Sequence, residues 1–230
     1  MIGTKTTELV ARIRDSDRVL DVGGWHAPFN RANVVIDIMP YETRNRKGAI
    51  LPEVWPEERF DRSTFLNFDL CIEPWPFPDK YFDFIYCAHT LEDLRDPLAV
   101  CREINRVGTG GYIEVPSRFC ESTKGVERPF YCGYYHHRWL CEEENGKLVF
   151  LFKPAQLHAY SRFHFRLPWF KKLNPRHSSL GFFWKESFAF EERILIDRNE
   201  VQENLLEFKS RLNGVPDLFL RKYDWFGRRI

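Results

Sequence analysis

Arg18-Val-Leu-Asp-Val-Gly-Gly24 and, nine residues further on, Val34-Val-Ile-Asp37 are two short apolar runs rich in β-branched residues, each carrying a carboxylate towards its end. Near-continuous apolar runs of this length read as strands buried on both faces of a parallel sheet. The first runs into the pair Gly23-Gly24, where the missing Cβ lets the backbone turn sharply and approach a ligand closely. Asp37, at the end of the second, is suited to accept hydrogen bonds from both hydroxyls of a ribose. The remainder of the chain reads as the completion or covering of the crevice between these strands.

Upstream, Thr6 to Asp15 carries Leu9, Val10 and Ile13 on one helical face. Only Trp25 to Asn33 separate Gly24 from the second strand. A parallel crossover normally takes about a dozen residues or more, so any helix here is limited to one or two turns. Residues 39–63, broken by Pro40, Pro52 and Pro56, read as a surface excursion with at most one short helix. Further strands are expected at Thr64–Leu70, Tyr81–Cys87 and Tyr112–Val115. Pro74, Pro76 and Pro78 impose an extended loop between the first two of these. Asp96-Pro97 is a helix start, an N-cap acceptor followed by proline at the first helical position. Leu98, Cys101, Ile104 and Val107 should line one face of that helix, which Gly108 to Gly111 ends. Strand and helix in alternation predict an α/β fold, Rossmann-like, with a doubly wound, mostly parallel sheet.

After Pro116 the character changes. Arg138 to Glu144, Asn145-Gly146 and Lys147 to Phe152 predict a hairpin closed on the strongest short turn signal. From Lys153 to Lys185 there is no acidic residue, and Arg162, Arg166, Lys171, Lys172 and Arg176 are interleaved with Phe163, Phe165, Trp169 and Phe170. Ser187–Ile196 reads as a late strand. Glu200–Leu212 reads as an amphipathic helix on Val201, Leu205, Phe208 and Leu212. Three segments follow: a ligand-binding core over 1–118, a substrate lid with a β-hairpin over 119–185, and a C-terminal strand and helix over 186–230 completing the same domain.

With 34 basic and 33 acidic side chains among 230 residues, there is no global field of either sign. That balance argues against a dedicated nucleic-acid partner. No apolar run is long enough to span a bilayer, so no integral membrane association is expected. The first residues lack the charged-then-apolar plan of a signal peptide, which points to the cytoplasm. Six cysteines without CxxC spacing read as reduced thiols. Cys120, Cys132, His137 and Cys141 match no common closed zinc site, and no metal is expected.

Four pieces in order resemble the class I S-adenosylmethionine-dependent methyltransferases, particularly the small-molecule group sometimes called type 11. They are Val19-Leu-Asp-Val-Gly-Gly24, Asp37 after strand two, Pro76-Phe-Pro-Asp-Lys-Tyr-Phe-Asp83, and Leu91 to Pro97 leading through Glu103–Val107 to Gly110-Gly-Tyr-Ile-Glu-Val-Pro116. The resemblance covers roughly residues 15–118 and implies S-adenosyl-L-methionine as cofactor. It makes Asp21, Gly23 and Gly24 the loop under the methionine portion, and Asp37 the ribose acid. It sets Asp69, Leu70 and Cys71 beside the adenine, and Cys87 to His89 before the transferable methyl. Two departures stand out: the family's next glycine is Trp25, and the first crossover is short.

Each role has a plainer alternative. Asp21 and the glycines can be an ordinary strand exit, and Asp69 a turn cap. His89 is either a general base or a structural donor. Of His136 and His137, neighbours on a strand, at least one is expected to contact substrate; Glu114 and Glu121 are weaker candidates. The basic–aromatic tract either binds an anionic or sugar-linked acceptor or packs on the core with its lysines snorkelling. The expected function is methyl transfer to an oxygen or nitrogen of a small polar acceptor. Its rivals are a nicotinamide oxidoreductase and a non-catalytic nucleotide-binding module.

Overall fold

Apolar runs become strands in the order the sequence lays them out. The structure, a computed structural model, describes residues 3–44, 50–167 and 178–213. In chain order its elements are α1 (Gly3–Arg12), β1 (Val19–Val22), β2 (Val34–Asp37), β3 (Phe65–Asn67), β4 (Phe84–Ala88), α2 (Pro97–Val107) and β5 (Gly110–Pro116). Then follow α3 (Arg118–Glu121), β6 (Thr123–Lys124), β7 (Trp139–Glu144), β8 (Lys147–Phe152), α4 (Ala155–Ala159) and β9 (Phe165–Arg166). Last come β10 (Ser179–Lys185), β11 (Ala189–Arg193) and α5 (Arg198–Asn213). Residues Met1–Glu114 with Phe183–Phe188 form one compact unit, and Val115–Phe182 with Ala189–Ile230 a second.

The first unit is built on a sheet of order β10-β5-β4-β1-β2-β3. The pairs β1–β2, β2–β3, β1–β4 and β4–β5 are all parallel. The chain winds outward from β1 first on one side and then on the other, which puts the topological switch point between β1 and β4. All four residues of β1 are buried, as a central strand covered on both faces requires. This is the α/β, Rossmann-like, mostly parallel architecture that the sequence predicts.

The first crossover contains no helix at all. Phe29 takes the place of the missing helix face: it is fully buried, with its ring centroid 4.7 Å from Tyr86 and 5.4 Å from Trp55. Helix α2 starts where expected, the Asp96 carboxylate accepting from the Ala99 amide with Pro97 in the first turn. Its buried face includes Ala99, Val100 and Glu103 besides Cys101, Ile104 and Val107, while Leu98 is only half-buried. Strand β3 is shorter than predicted: the ladder ends with the Phe68 amide donating to the Asp37 carbonyl, and the chain then turns, the Ile72 amide donating to the Asp69 carbonyl.

In the second unit β7 and β8 form the predicted hairpin, Asn145 and Gly146 both adopting positive φ. Its residues Leu140 and Leu151 pack with Cys132, Leu157, Phe163 and Leu205 in a small apolar core. The late strand is confined to Ala189–Arg193 and pairs in parallel with β8. Strand β10 lies within the stretch read as lid. In α5, Leu205 is buried and Val201 packs against the same core, while the ring of Phe208 lies under the Arg118 guanidinium. Lys171, Lys172, Arg176, Trp169 and Phe170, and the Leu212 side chain, lie outside the described residues.

Candidate active site

The β1 exit is organised by a buried carboxylate. Asp21 is 1% exposed, and its Oδ2 accepts from the Phe29 amide at 2.8 Å. Burial pushes its carboxyl up to about 7, the Phe29 bond opposing and the Asp37 charge adding to the rise. Gly24 is pressed on that carboxylate, so that a Cβ there would lie 2.0 Å from Asp21 Oδ2. Gly23 has φ +78° and donates to the Ile36 carbonyl, and a Cβ there would lie 2.2 Å from Thr90 Oγ1. Both glycines are therefore required by packing within the strand ends, a reason sequence reading alone assigned to ligand approach.

Asp37 closes β2 at 7% exposure. Its Oδ1 accepts from the Met39 amide at 2.7 Å and its Oδ2 from the Trp25 amide at 3.1 Å. Burial raises its pKa against both bonds. Each oxygen has one such bond, and a carboxylate has about four acceptor positions, so capacity for a vicinal diol is left. The Trp25 indole is drawn towards Thr43, its Nε1 donating to Thr43 Oγ1 at 2.8 Å. Directly after Asp37, Ile38 is 61% exposed, an apolar surface beside the acid that the sequence reading passed over. The only signal for it was its position after a strand-ending carboxylate.

Beyond β3, Asp69 bonds Arg95 at 2.6 Å and accepts from the Cys71 amide, and the arginine holds its carboxyl below the usual range. Leu70 is buried, and its carbonyl accepts from Trp75 Nε1. Cys71 is half-buried, with its sulfur 3.7 Å from the Asp96 carbonyl.

At the end of β4, Cys87 is fully buried, and burial keeps its thiol protonated. The next residue but one, His89, has φ +54°. Its Nε2 is 3.4 Å from Glu114 and its Nδ1 3.7 Å from Glu92, two acids on opposite sides of one ring. Partial burial works against the imidazolium, but Glu114 and then Glu92 outweigh it and push the ring up to about 10. An imidazolium donates protons in hydrogen bonds and accepts none, so this geometry favours the donor role at neutral pH. Tyr112 in turn donates to the other Glu114 oxygen. Glu92 could have been found in the Leu91-Glu-Asp sequence, since a glutamate three residues after a strand-end histidine is within reach of it.

His136 and His137 precede β7 (Trp139–Glu144) instead of lying on it, so strand alternation does not govern them, and their rings meet edge-on at 4.5 Å. His136 is exposed, and its Nδ1 lies 3.9 Å from Glu127. His137 is buried, with Nδ1 3.0 Å from Glu121 Oε1. The other Glu121 oxygen accepts from Lys153 at 2.5 Å, and all three side chains are less than a tenth exposed. Cys120, Cys132 and Cys141 are buried and in no disulfide, the Cys132 sulfur lying against the Leu157 carbonyl.

Comparison with known proteins bears on this arrangement. A family model described as a methyltransferase domain matches residues 2–161. Among solved structures, the YcgJ protein of Bacillus subtilis is 20% identical over 49% of this chain and 50% of its own, with a TM-score of 0.35. A SAM-dependent methyltransferase from Aquifex aeolicus is 19% identical over 50% of this chain and 63% of its own, with a TM-score of 0.35. One from Mesorhizobium loti is 15% identical over 64% and 62%, with a TM-score of 0.36. The chain thus spans between half and just under two thirds of the length of these structures. No curated protein matches it. Among the described residues no helix is long and apolar enough to cross a membrane. The family model covers more than half of the chain and includes every strand from β1 to β5: the chain belongs to the methyltransferase-domain family, on a class I fold.

Proposed function

We propose that the chain is an S-adenosylmethionine-dependent methyltransferase acting on an oxygen or nitrogen of a small polar acceptor, a glycan or natural-product hydroxyl foremost. Asp37 carries the reading: a carboxylate at the end of the strand beside the switch point, held by two backbone amides, with acceptor capacity left for a ribose diol. Exposed Ile38 beside it offers an apolar face to an adenine, with Asp69, Leu70 and Cys71 on the adjoining turn. Asp21, Gly23 and Gly24 would form the floor under the methionine portion, with Cys87 behind it. The absence of a helix after Gly24 also favours this cofactor over a dinucleotide, because a pyrophosphate is suited to the amides of a helix N-terminus and a sulfonium-linked nucleoside carries no phosphate to place there.

S-adenosylmethionine supplies a methyl on a leaving group that needs no acid, so the protein's task is alignment and exclusion of water. His89, as an imidazolium between Glu92 and Glu114, would orient an acceptor by donation rather than deprotonate it. Balanced charge is in keeping with a cytoplasmic enzyme without a nucleic-acid partner.

Calorimetric titration with S-adenosylmethionine and S-adenosylhomocysteine tests the reading, and no binding of either at millimolar concentration overturns it. Asp37→Ala is expected to weaken binding by about tenfold or more, as the loss of charge-assisted hydrogen bonds does. Unchanged affinity would mean that the ribose lies elsewhere. Trp25 in place of a glycine is what favours the second reading, a non-catalytic nucleotide-binding module. Transfer of labelled methyl to any acceptor would exclude it.

A further inference from the structure

Residues 127–137 of the second unit form a loop braced from beneath and aromatic on top. Lys153, 6% exposed, donates to Glu121 at 2.5 Å and to the carbonyls of Cys132 and Tyr134, both at 2.8 Å. The Gly125 amide donates to the Tyr131 carbonyl, the Gly133 amide to that of Thr123, and the Tyr135 amide to Glu127. Gly133 has φ +60°, and a Cβ there would strike Glu121. A loop tied at so many points has little freedom to lose when a ligand binds.

On this frame the large rings face outward. Phe130 is 79% exposed, Tyr135 58% and Tyr131 43%. The Tyr131 and Tyr135 rings lie 6.0 Å apart at 45°, His158 meets Tyr131 edge-on at 5.5 Å, and His136 meets Tyr135 at 5.3 Å. Exposed aromatics that are contiguous and held still have the character of binding anchors, not of scattered surface residues.

Charge narrows the ligand. Across residues 122–138 and 153–167 the only acid is Glu127, against Lys124, Arg128, Arg138, Lys153, Arg162 and Arg166, of which Lys153 is spent on Glu121 and Arg162 donates to Gln202. The surface therefore suits a ligand with negative charge. A bilayer would call for aliphatic chains inserted below the headgroups, and here one phenylalanine stands among polar-tipped tyrosines and histidines. A long nucleic acid is disfavoured by a chain carrying a net charge of only +1. A pyranose ring has a C–H face to lie on a tyrosine, edge hydroxyls for phenol and imidazole, and, in a uronic acid, a carboxylate for an arginine. We propose that loop 127–137 is a carbohydrate-binding surface for acidic sugars. Binding there does not depend on the methyl transfer proposed above.

The test is titration of the full chain with tetragalacturonate, with neutral maltotetraose alongside. Binding of tetragalacturonate, stronger than of maltotetraose, is expected, and the pair Tyr131→Ala and Tyr135→Ala should weaken it about tenfold, the scale of lost ring contacts. Phe130→Ala, at the exposed tip where folding is not at stake, should weaken it severalfold. Affinity for S-adenosylmethionine should be the same in all three proteins. No binding of tetragalacturonate, or binding indifferent to these substitutions, overturns the proposal. So does binding to phosphatidylserine vesicles or to single-stranded RNA that these substitutions abolish while no sugar binds. Sugar binding without any S-adenosylmethionine binding would leave this surface standing and remove the methyltransferase reading.

Discussion

His89, just past β4, holds its ring between the carboxylates of Glu92 and Glu114. A histidine at the end of β4 is legible as a functional residue, because open α/β sheets place their ligands at that edge. Its protonation state is not, since it is set by Glu92 three residues on and by Glu114 on the neighbouring strand. The positive φ of +54° is a second feature no sequence pattern announces, and such strain collects at ligand sites. Nitrogen chemical shifts of the His89 ring should report an imidazolium throughout pH 6 to 8, with a midpoint near 10. A midpoint near 6.5 would restore the general-base role. Methyl transfer, once an acceptor is known, should accordingly lack a rate limb near pH 6.5 that His89→Gln removes. Asp37 was legible as a strand-ending acid; the packing of Gly23 on Thr90 was not, because Thr90 is far off in sequence, and that of Gly24 depends on how the Asp21 carboxylate is turned.

At the scale of elements, local signals read well and distant pairings did not. The Asn145-Gly146 hairpin and the Asp96-Pro97 helix start depend on a few adjacent residues, and both form as read. Strand β10 has no clean alternation in Ser-Leu-Gly-Phe-Phe-Trp-Lys, and it exists because the edge of β5 is there to pair with. Lys153 is the clearest case. In sequence it opens an acid-free basic tract, yet in the structure it is buried on Glu121, a residue 32 positions earlier, and helps to fasten α3, the 131–137 loop and the end of β8. Lys153→Met should therefore cost about 3–5 kcal/mol in urea unfolding, because it takes the lysine cation away from a buried carboxylate. Adding Glu121→Leu removes that charge and should recover a large part of the loss. A loss below 1 kcal/mol for the single change would show that water reaches Glu121 in its place.

For the molecule as a whole, several displaced ionisations act on one observable, stability against pH. Asp69 and Glu103 have carboxyls held below their ordinary values, by Arg95 in one case and, against burial, by Arg106 and the Trp75 amide in the other. What they contribute is present above the unfolded carboxylate pKa and is lost as pH falls through their folded values. Asp21 works the other way. With its carboxyl raised to about 7, the folded state holds a proton that the unfolded state has already released, so stability declines as pH climbs from about 4 to 7. His89, raised to about 10, contributes stability that is complete below 6.5 and disappears as pH rises through 10. Its side chain is half exposed, so solvent screens that contribution. The urea midpoint should accordingly peak between roughly pH 4.5 and 6 and fall on the alkaline side. Asp21→Asn keeps an oxygen for the Phe29 amide and gives up the titration. The variant should match the parent near pH 4, exceed it at pH 8 by up to about 4 kcal/mol, and show a flatter profile between. Parallel profiles for the two proteins would mean that Asp21 ionises freely in the fold. Loss of S-adenosylmethionine affinity in the same variant would tie the cost of burying that charge to the floor Asp21 is proposed to form under the methionine portion.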